Sequence, residues 1–551
     1  MRRTLSLLLL LLASAASATA PPKLIVVVSI DQFPSYYLDR YANVLGDAGF
    51  KRLAREGTFF VNSAYPYATT FTGPGHASIG TGHTPTESGI IGNNWYDRFT
   101  FARSYCAQDD RAEPVPPIDD PKLRKDNSRS PLNLTAASLG DRLQEKDRAS
   151  KVYSVSLKDR AAILMGGRKA WGAFWFDGKA KRFMTSTYYR NRLEPLIAKF
   201  NAGLPARVTK QMQWTLDDQT KPANVTDPED LRTGVKSDRN GLGVKFPHPI
   251  RDVEALTYTP FGNDMVFDLA RAIIRGEQLG ADMHPDLLYV SLSSPDYLGH
   301  AFGPDSWEAA DTMVRTDRQL AAFVAELRRQ FGSAVTVAVT GDHGVQSIPA
   351  IAKYKNPGAK AGRINLEAPA APARKAIEED ASRRLGASAA LNMIRIFDEG
   401  SFYLDFAKLP PGVEAEQARR AYRDAAKAMD GVSEAFTSGQ LMVPNASPSE
   451  VERAVRNSFR PDRSGDVLIE LQPGYIWDYD GTGTTHGQPV PDDQRVPVIV
   501  WGAGIVHGDE ACRTLPASPL DLARTLGKLL GVDAGGKLSN DLECARVHPS
   551  P

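Results

Sequence analysis

Lys23 to Ile30 reads K-L-I-V-V-V-S-I and runs directly into Asp31. A continuous apolar, β-branched run of this kind suits a strand buried on both faces of a parallel sheet. The carboxylate at its end then points into a cleft. The pattern recurs twice: Pro285 to Ser293 (P-D-L-L-Y-V-S-L-S) precedes S-P-D-Y-L-G-H, and Ala334 to Val339 (A-V-T-V-A-V) precedes T-G-D-H-G. Between these runs, Leu134 to Glu145, Asn263 to Gln278, Asp305 to Gln330 and Pro519 to Leu530 carry apolar spacing near 3.6 and are expected to be helical. Strands alternating with helices predict an α/β fold with a mostly parallel central sheet and helices on both faces. Ligands of such sheets bind beyond the carboxyl ends of the strands, where these acids and histidines fall.

Two stretches read as insertions. Residues 95–255, rich in Arg, Asp, Pro and Asn, are expected to form a cap beside the core, with short strands such as Gly172 to Phe176. Residues 352–465 open on a basic, Pro/Ala-rich segment and are expected to fold as a second subdomain over the mouth of the site. The remainder of 21–551 forms the main domain.

The chain has 551 residues, 42% of them hydrophobic and 24% charged, which excludes a disordered polyelectrolyte. Its 66 basic residues balance 65 acidic ones, so no broad electrostatic attraction to nucleic acid or anionic lipid is expected. Residues 1–20 hold two arginines, an apolar run from Leu5 to Leu12 and a tail of small residues, the pattern of a secretory signal peptide, with cleavage expected after Ala18. A periplasmic or secreted protein follows, with no membrane insertion after the signal is removed and with a monomeric state allowed. Of three cysteines, Cys512 and Cys544 are the pair most suited to a disulfide, the alternative being three free thiols.

The candidate ligands are Asp31, Asp296, His300, Asp342, His343 and His486, the last from G-T-T-H-G-Q-P. Six such groups divide into two sets of three, and two Zn²⁺ ions fit that inventory of carboxylates and imidazoles. Asp296 and His300 stand four apart, a spacing that one helical turn places on one face. Each residue also has an ordinary reading: Asp31 as a helix cap, His300 as a half-buried histidine, Asp342 as a turn aspartate. The argument for ligands is their coincidence after apolar strands, in a chain with only nine histidines.

Residues 69–82, T-T-F-T-G-P-G-H-A-S-I-G-T-G, pass from an extended segment into a helix expected to start near Pro74. Thr72 then lies near a helix N-terminus, where free N–H groups and the positive dipole end favour phosphate. Its hydroxyl becomes a nucleophile if a metal ion removes the proton, and is a simple N-cap otherwise.

The strand ending S-I-D, then T-F-T-G-P-G-H-A-S, G-I-I-G-N-N, S-P-D-Y-L-G-H, T-G-D-H-G and T-T-H-G-Q together resemble the alkaline phosphatase superfamily, in order and across nearly the whole chain after the leader. Within it the sequence is similar to the type I phosphodiesterase/nucleotide pyrophosphatase relatives. With S-L-K-D-R at 156–160, it resembles in particular the threonine-dependent, phosphate-irrepressible bacterial alkaline phosphatases. The resemblance implies Thr72 as nucleophile and Asn93, with Asn94 as the alternative, as a phosphate contact. It implies Lys158 and Arg160 as a phosphate-binding pair. Asp31, Asp342 and His343 with Thr72 would hold one zinc ion, and Asp296, His300 and His486 the other. His76 and His83 receive no metal role from it and are expected to pack or cap. The implied activity is hydrolysis of small phosphate monoesters over a broad range through a phosphothreonine intermediate.

A monoester dianion needs more cationic donors than a diester. Lys158 and Arg160 are expected on alternate positions of an extended strand, projecting to one side, where ordinary surface charge is the competing reading. The rival functions are a phosphodiesterase or nucleotide pyrophosphatase on the same two-zinc core, and a non-catalytic phosphate- or zinc-binding protein. A sulfatase is disfavoured, because neither C-x-P-x-R nor S-x-P-x-R occurs near position 72.

Overall fold

The computed structural model describes residues 22–223, 225, 241–479 and 481–547. The expected leader lies outside the described residues. The strand Leu24–Ile30 is fully buried and occupies the middle of a nine-stranded sheet. Across the sheet the order is Thr58–Phe60, Val498–Gly502, Val335–Gly341, Leu24–Ile30, Asp286–Leu292, Val152–Ser156, Gly172–Asp177, Arg182–Ser186 and Pro114–Val115. The five strands from Val335–Gly341 to Gly172–Asp177 run parallel, and antiparallel strands finish both edges. Alternate residues of the central strand enter different cores. Leu24, Val26, Val28 and Ile30 pack with the helices Phe261–Gly276 and Trp307–Phe331, whereas Ile25 and Val27 pack with Leu139–Lys146 and Asp521–Leu530. Each such buried aliphatic side chain contributes about 1.5–3 kcal/mol, so the six of this strand pin it and the position of Asp31 after it.

Several expectations need correction. The stretch 95–255 is not a cap beside the core, since Val152–Ser156 and Gly172–Asp177 are parallel strands of the sheet itself. Ser154 and Ser156 make the first of these strands look polar, yet both are buried. The helix placed from Leu134 begins at Leu139, capped by Ser138, whose hydroxyl accepts the Asp141 N–H while the Asp141 carboxylate accepts the Ser138 N–H. Asp31 caps no helix, because the next one starts at Tyr36 after Ser35.

Most of the 352–465 stretch forms a unit with its own core. Strands Ile394–Asp398, Ser401–Leu404, Val467–Leu471 and Val432–Thr437 make a sheet in that order, packed on the helices Pro372–Arg384 and Ala415–Lys427 through Ile377, Tyr422, Phe402, Ile469 and Trp477. Its sheet extends past 465, because Val467–Leu471 is its third strand. Cys512 and Cys544 form a disulfide, and Cys106 is a buried free thiol. No helix of the described residues is long and apolar enough to cross a membrane.

Candidate active site

The helix carrying Thr72 spans Thr72–Thr81, two residues earlier than expected, with Phe71 in extended conformation as its N-cap. Thr72 is therefore the first helical residue and not the cap. Every residue of this helix is buried, and a Cβ on Gly75 would stand 2.2 Å from the Asp342 carbonyl oxygen. The small residues of G-P-G thus let the helix start lie directly against the end of the Val335–Gly341 strand. Thr72 and Asp342 are brought together by that close approach.

The candidate ligands converge from four parts of the chain. Asp31 follows the first strand, and Asp342 and His343 follow Val335–Gly341. Asp296 and His300 lie on the helix Ser294–Phe302, with His300 Nε2 3.2 Å from Asp296 Oδ1. His486 Nε2 is 3.5 Å from the same oxygen. His343 Nε2 is 3.4 Å from Asp31 Oδ1, 3.3 Å from Asp342 Oδ2 and 4.0 Å from Asp296 Oδ1, so it faces both halves of the cluster. By donor spacing alone the residues group as Asp296, His343 and His486, and as Asp31, His76 and Asp342.

The chemistry of this set suits divalent cations. His300, His343 and His486 each donate Nδ1–H to a backbone carbonyl, of Thr484 at 2.9 Å, Gly344 at 3.0 Å and Thr70 at 2.7 Å. That fixes the tautomer and turns Nε2 inward as a lone-pair donor. Asp31 Oδ1 and His343 Nε2 are buried without a hydrogen-bond partner, a costly arrangement that a bound cation would relieve. His76 packs beneath: its Nδ1 is 2.9 Å from the Thr72 carbonyl and 3.2 Å from Asp342 Oδ2, and its Nε2 is 3.0 Å from Ser291 Oγ.

Crowded carboxylates dominate the electrostatics of the cluster. Burial pushes the Asp342 carboxyl up, reinforced by Asp31. Burial acts on Asp31 in the same direction, but the Lys158 ammonium and His343 hold it well below the usual carboxylate range. Burial lowers the His343 imidazole, yet Asp342 and Asp31 prevail and raise it to about 9. His486, buried beside His343, is pushed down to about 3. Lys158 Nζ lies 2.7 Å from Asp31 Oδ2 and 2.5 Å from Asp296 Oδ2, amid carboxylates that attract any cation.

The expected extended placement of Lys158 and Arg160 is incorrect. The strand ends at Ser156, Lys158 is the last extended residue, and Arg160 lies in the first turn of the helix Asp159–Gly166. Asp159 at the start of that helix favours it through the dipole. Both cations nevertheless reach the nucleophile, Lys158 Nζ and Arg160 Nη2 each standing 3.3 Å from Thr72 Oγ1. Tyr105 holds the guanidinium at 3.4 Å and in turn donates to Asp159 at 2.5 Å. Asn93 Oδ1 accepts the Gly73 N–H at 2.9 Å, so its amide nitrogen remains a donor at the cleft. Asn94 instead starts a short strand, and its Oδ1 accepts from Arg103 Nε.

A cleft of about 270 Å³ opens here, lined on one side by Thr72, Asn93, Arg160, His300 and His486. Asp398, Glu399 and Trp477 line it from the second subdomain. Two contributors had no signal in the sequence. Gln32, at φ 59°, donates its backbone N–H to Asp342 Oδ1 and its side-chain amide to Asp296 Oδ1. Glu399 accepts the Asn93 N–H.

The sequence matches the type I phosphodiesterase / nucleotide pyrophosphatase family over residues 25–492. This chain belongs to that family. It is 32% identical to alkaline phosphatase PafA of Elizabethkingia meningoseptica over 517 residues, 92% of this chain and 91% of that protein. It is 33% identical to alkaline phosphatase PhoV of Synechococcus elongatus over 534 residues, 94% of this chain and 92% of the relative. The crystal structure of wild-type PafA superposes with a TM-score of 0.82 at 30% identity, covering 96% of this chain and all of that one. The fold expected from the strand pattern is the fold of that enzyme.

Proposed function

We propose that this chain is an exported alkaline phosphatase that hydrolyses phosphate monoesters through a phosphothreonine at Thr72. The observation that carries the reading is the approach of Lys158 Nζ and Arg160 Nη2 to the Thr72 hydroxyl, beside six convergent carboxylate and imidazole donors. The named relatives are alkaline phosphatases, and a leader of the secretory kind precedes the domain.

Asp31, Asp342 and His343 would hold one divalent ion next to Thr72, and Asp296, His300 and His486 a second. Zinc suits this mix of oxygen and imidazole nitrogen. When bound, such ions supply Lewis acidity, easing loss of the Thr72 proton and offsetting charge on the leaving oxygen. Thr72 Oγ attacks phosphorus in line, and its place at a helix N-terminus directs backbone N–H groups towards the phosphoryl oxygens. Arg160 offers a planar fork, Lys158 a point charge and the Asn93 amide a neutral donor to the same oxygens. Water then cleaves the phosphothreonine.

The extra negative charge of a monoester over a diester interacts with two cations. At roughly 4 Å and an effective dielectric near 20, each pair is worth about 4 kcal/mol before desolvation is subtracted. A net preference of about 3 kcal/mol, near 100-fold, is reasonable once desolvation takes its share. Rapid quenching with a ³²P-labelled monoester tests the proposal: label on Thr72 is the expected outcome. Its absence during turnover, or a diester cleaved faster than its matched monoester, would overturn it.

A further inference from the structure

The second subdomain reaches the nucleophile through one side chain. Its first two strands, Ile394–Asp398 and Ser401–Leu404, are joined by a two-residue turn in which Asp398 pairs with Ser401. Both turn residues have positive φ, Glu399 at 45° and Gly400 at 80°. Turns of this kind favour Asn or Asp followed by Gly, and a longer side chain at the first position carries backbone strain without helping the turn. Glu399 is nonetheless the residue present. Its carboxyl group crosses to the main domain and accepts the Asn93 backbone N–H, at 3.0 Å to Oε2 and 3.3 Å to Oε1. A Cβ on Gly92 would lie 2.2 Å from Oε2, so the loop is shaped to admit this carboxylate. Asn93 then uses its own Oδ1 to accept the Gly73 N–H, one residue past the nucleophile.

We propose that Glu399 is a positioning residue: it holds the Asn93 backbone so that the Asn93 amide is aimed at the transferred phosphoryl group. The link runs from a strained turn in one subdomain, through one hydrogen bond to the 92–93 loop, to the first turn of the Thr72 helix. This rests on the reading above in which Asn93 contacts phosphate. It adds that the second subdomain sets the rate of the reaction as well as covering the cleft. A residue at odds with the preference of its turn, whose carboxyl group reaches across to Asn93, is accounted for by that task.

The test uses the full chain with its metal ions. Glu399→Asn supplies the residue the turn prefers but is one methylene too short for the contact, whereas Glu399→Gln keeps the length and an acceptor oxygen. Each is made alone, Glu399→Asn also together with Asn93→Ala, and Asn93→Ala by itself. The readouts are kcat/KM on a phosphate monoester, inhibition by inorganic phosphate, bound metal and thermal midpoint. A displaced phosphate donor should lower kcat/KM for Glu399→Asn about tenfold, with weaker inhibition by inorganic phosphate and unchanged metal content and thermal midpoint. Glu399→Gln should stay within about threefold of the parent, and the double variant should be no slower than Asn93→Ala alone. A Glu399→Asn loss that persists undiminished in the Asn93→Ala background, or that tracks a lowered midpoint, overturns the positioning role and leaves the phosphatase reading intact. Parent-like activity of Glu399→Asn overturns it equally. Parent-like activity of Asn93→Ala instead removes the phosphate contact on which the proposal rests, and the proposal with it.

Discussion

The two walls of the cleft are built on different terms. On one side Asp31, Asp342 and His343 stand at the ends of buried parallel strands, and Asp296 and His300 on the helix that follows another. On the other, Asp398, Glu399 and Trp477 arrive from a unit with a separate sheet and a separate core. The first wall bears several buried charges at short range, which only a rigid scaffold can hold in register. Chemistry is therefore tied to the sheet, and the second unit enters it through the single contact of Glu399 with the Asn93 N–H.

This contrast is most severely tested at Thr72. Thr72→Ala should lower kcat about 10⁴-fold or more while leaving bound metal and thermal midpoint near the parent values, measured by initial rates and metal analysis. Retained turnover would separate the sheet wall from the chemistry. Removing metal by chelation comes next: activity should fall at least about 10³-fold and return with Zn²⁺. The thermal midpoint should fall as well, because Asp31 and Asp342 would face each other without a bound dication. Lys158→Ala should cost about 100-fold in kcat/KM on a monoester and less than about fivefold on a matched diester. Equal losses on the two substrates would leave the charge preference unsupported.

The smallest effect belongs to a strand of the second wall's sheet. Burial pushes the Glu470 carboxyl, on the strand Val467–Leu471, up from an ordinary value of 4.5 to about 8. The folded chain therefore holds a proton there that the unfolded chain releases at lower pH, and stability declines as pH rises from about 4.5 through 8. Glu470→Gln should flatten that decline, gaining on the order of 2 kcal/mol at pH 8.5 relative to parent and little at pH 4. Its kcat/KM on a monoester should stay within about twofold. Urea unfolding at the two pH values decides the stability claim. A large loss of turnover would show that the two walls are not separable.

Much of the sheet wall was legible because its physics is local. A run such as Leu24–Ile30 has one stable use, and a carboxylate at its carboxyl end has one direction to face. The Asp296–His300 spacing needed only a helical turn. Other features failed where burial contradicts composition. Val152–Ser156 lies in a stretch whose Arg, Asp, Pro and Asn content reads as an insertion, yet Ser156 is spent on hydrogen bonds to Ser291 and Ser293 at the end of the neighbouring strand. Alternate spacing of Lys158 and Arg160 suits a strand, and no capping side chain announces the helix at Asp159; Lys158 occupies the cap position without capping. Gln32 and Glu399 left no trace, since each acts through a positive φ and a contact hundreds of residues away. Such partners are visible only once the chain has closed on itself.

The carbonyl oxygens of Thr70, Gly344 and Thr484 that orient the three imidazoles belong to the peptide, not to any side chain. Whatever amino acid replaces these three, the oxygen stays. The aim of the histidines is thus largely insulated from mutational drift at the very positions that steer them.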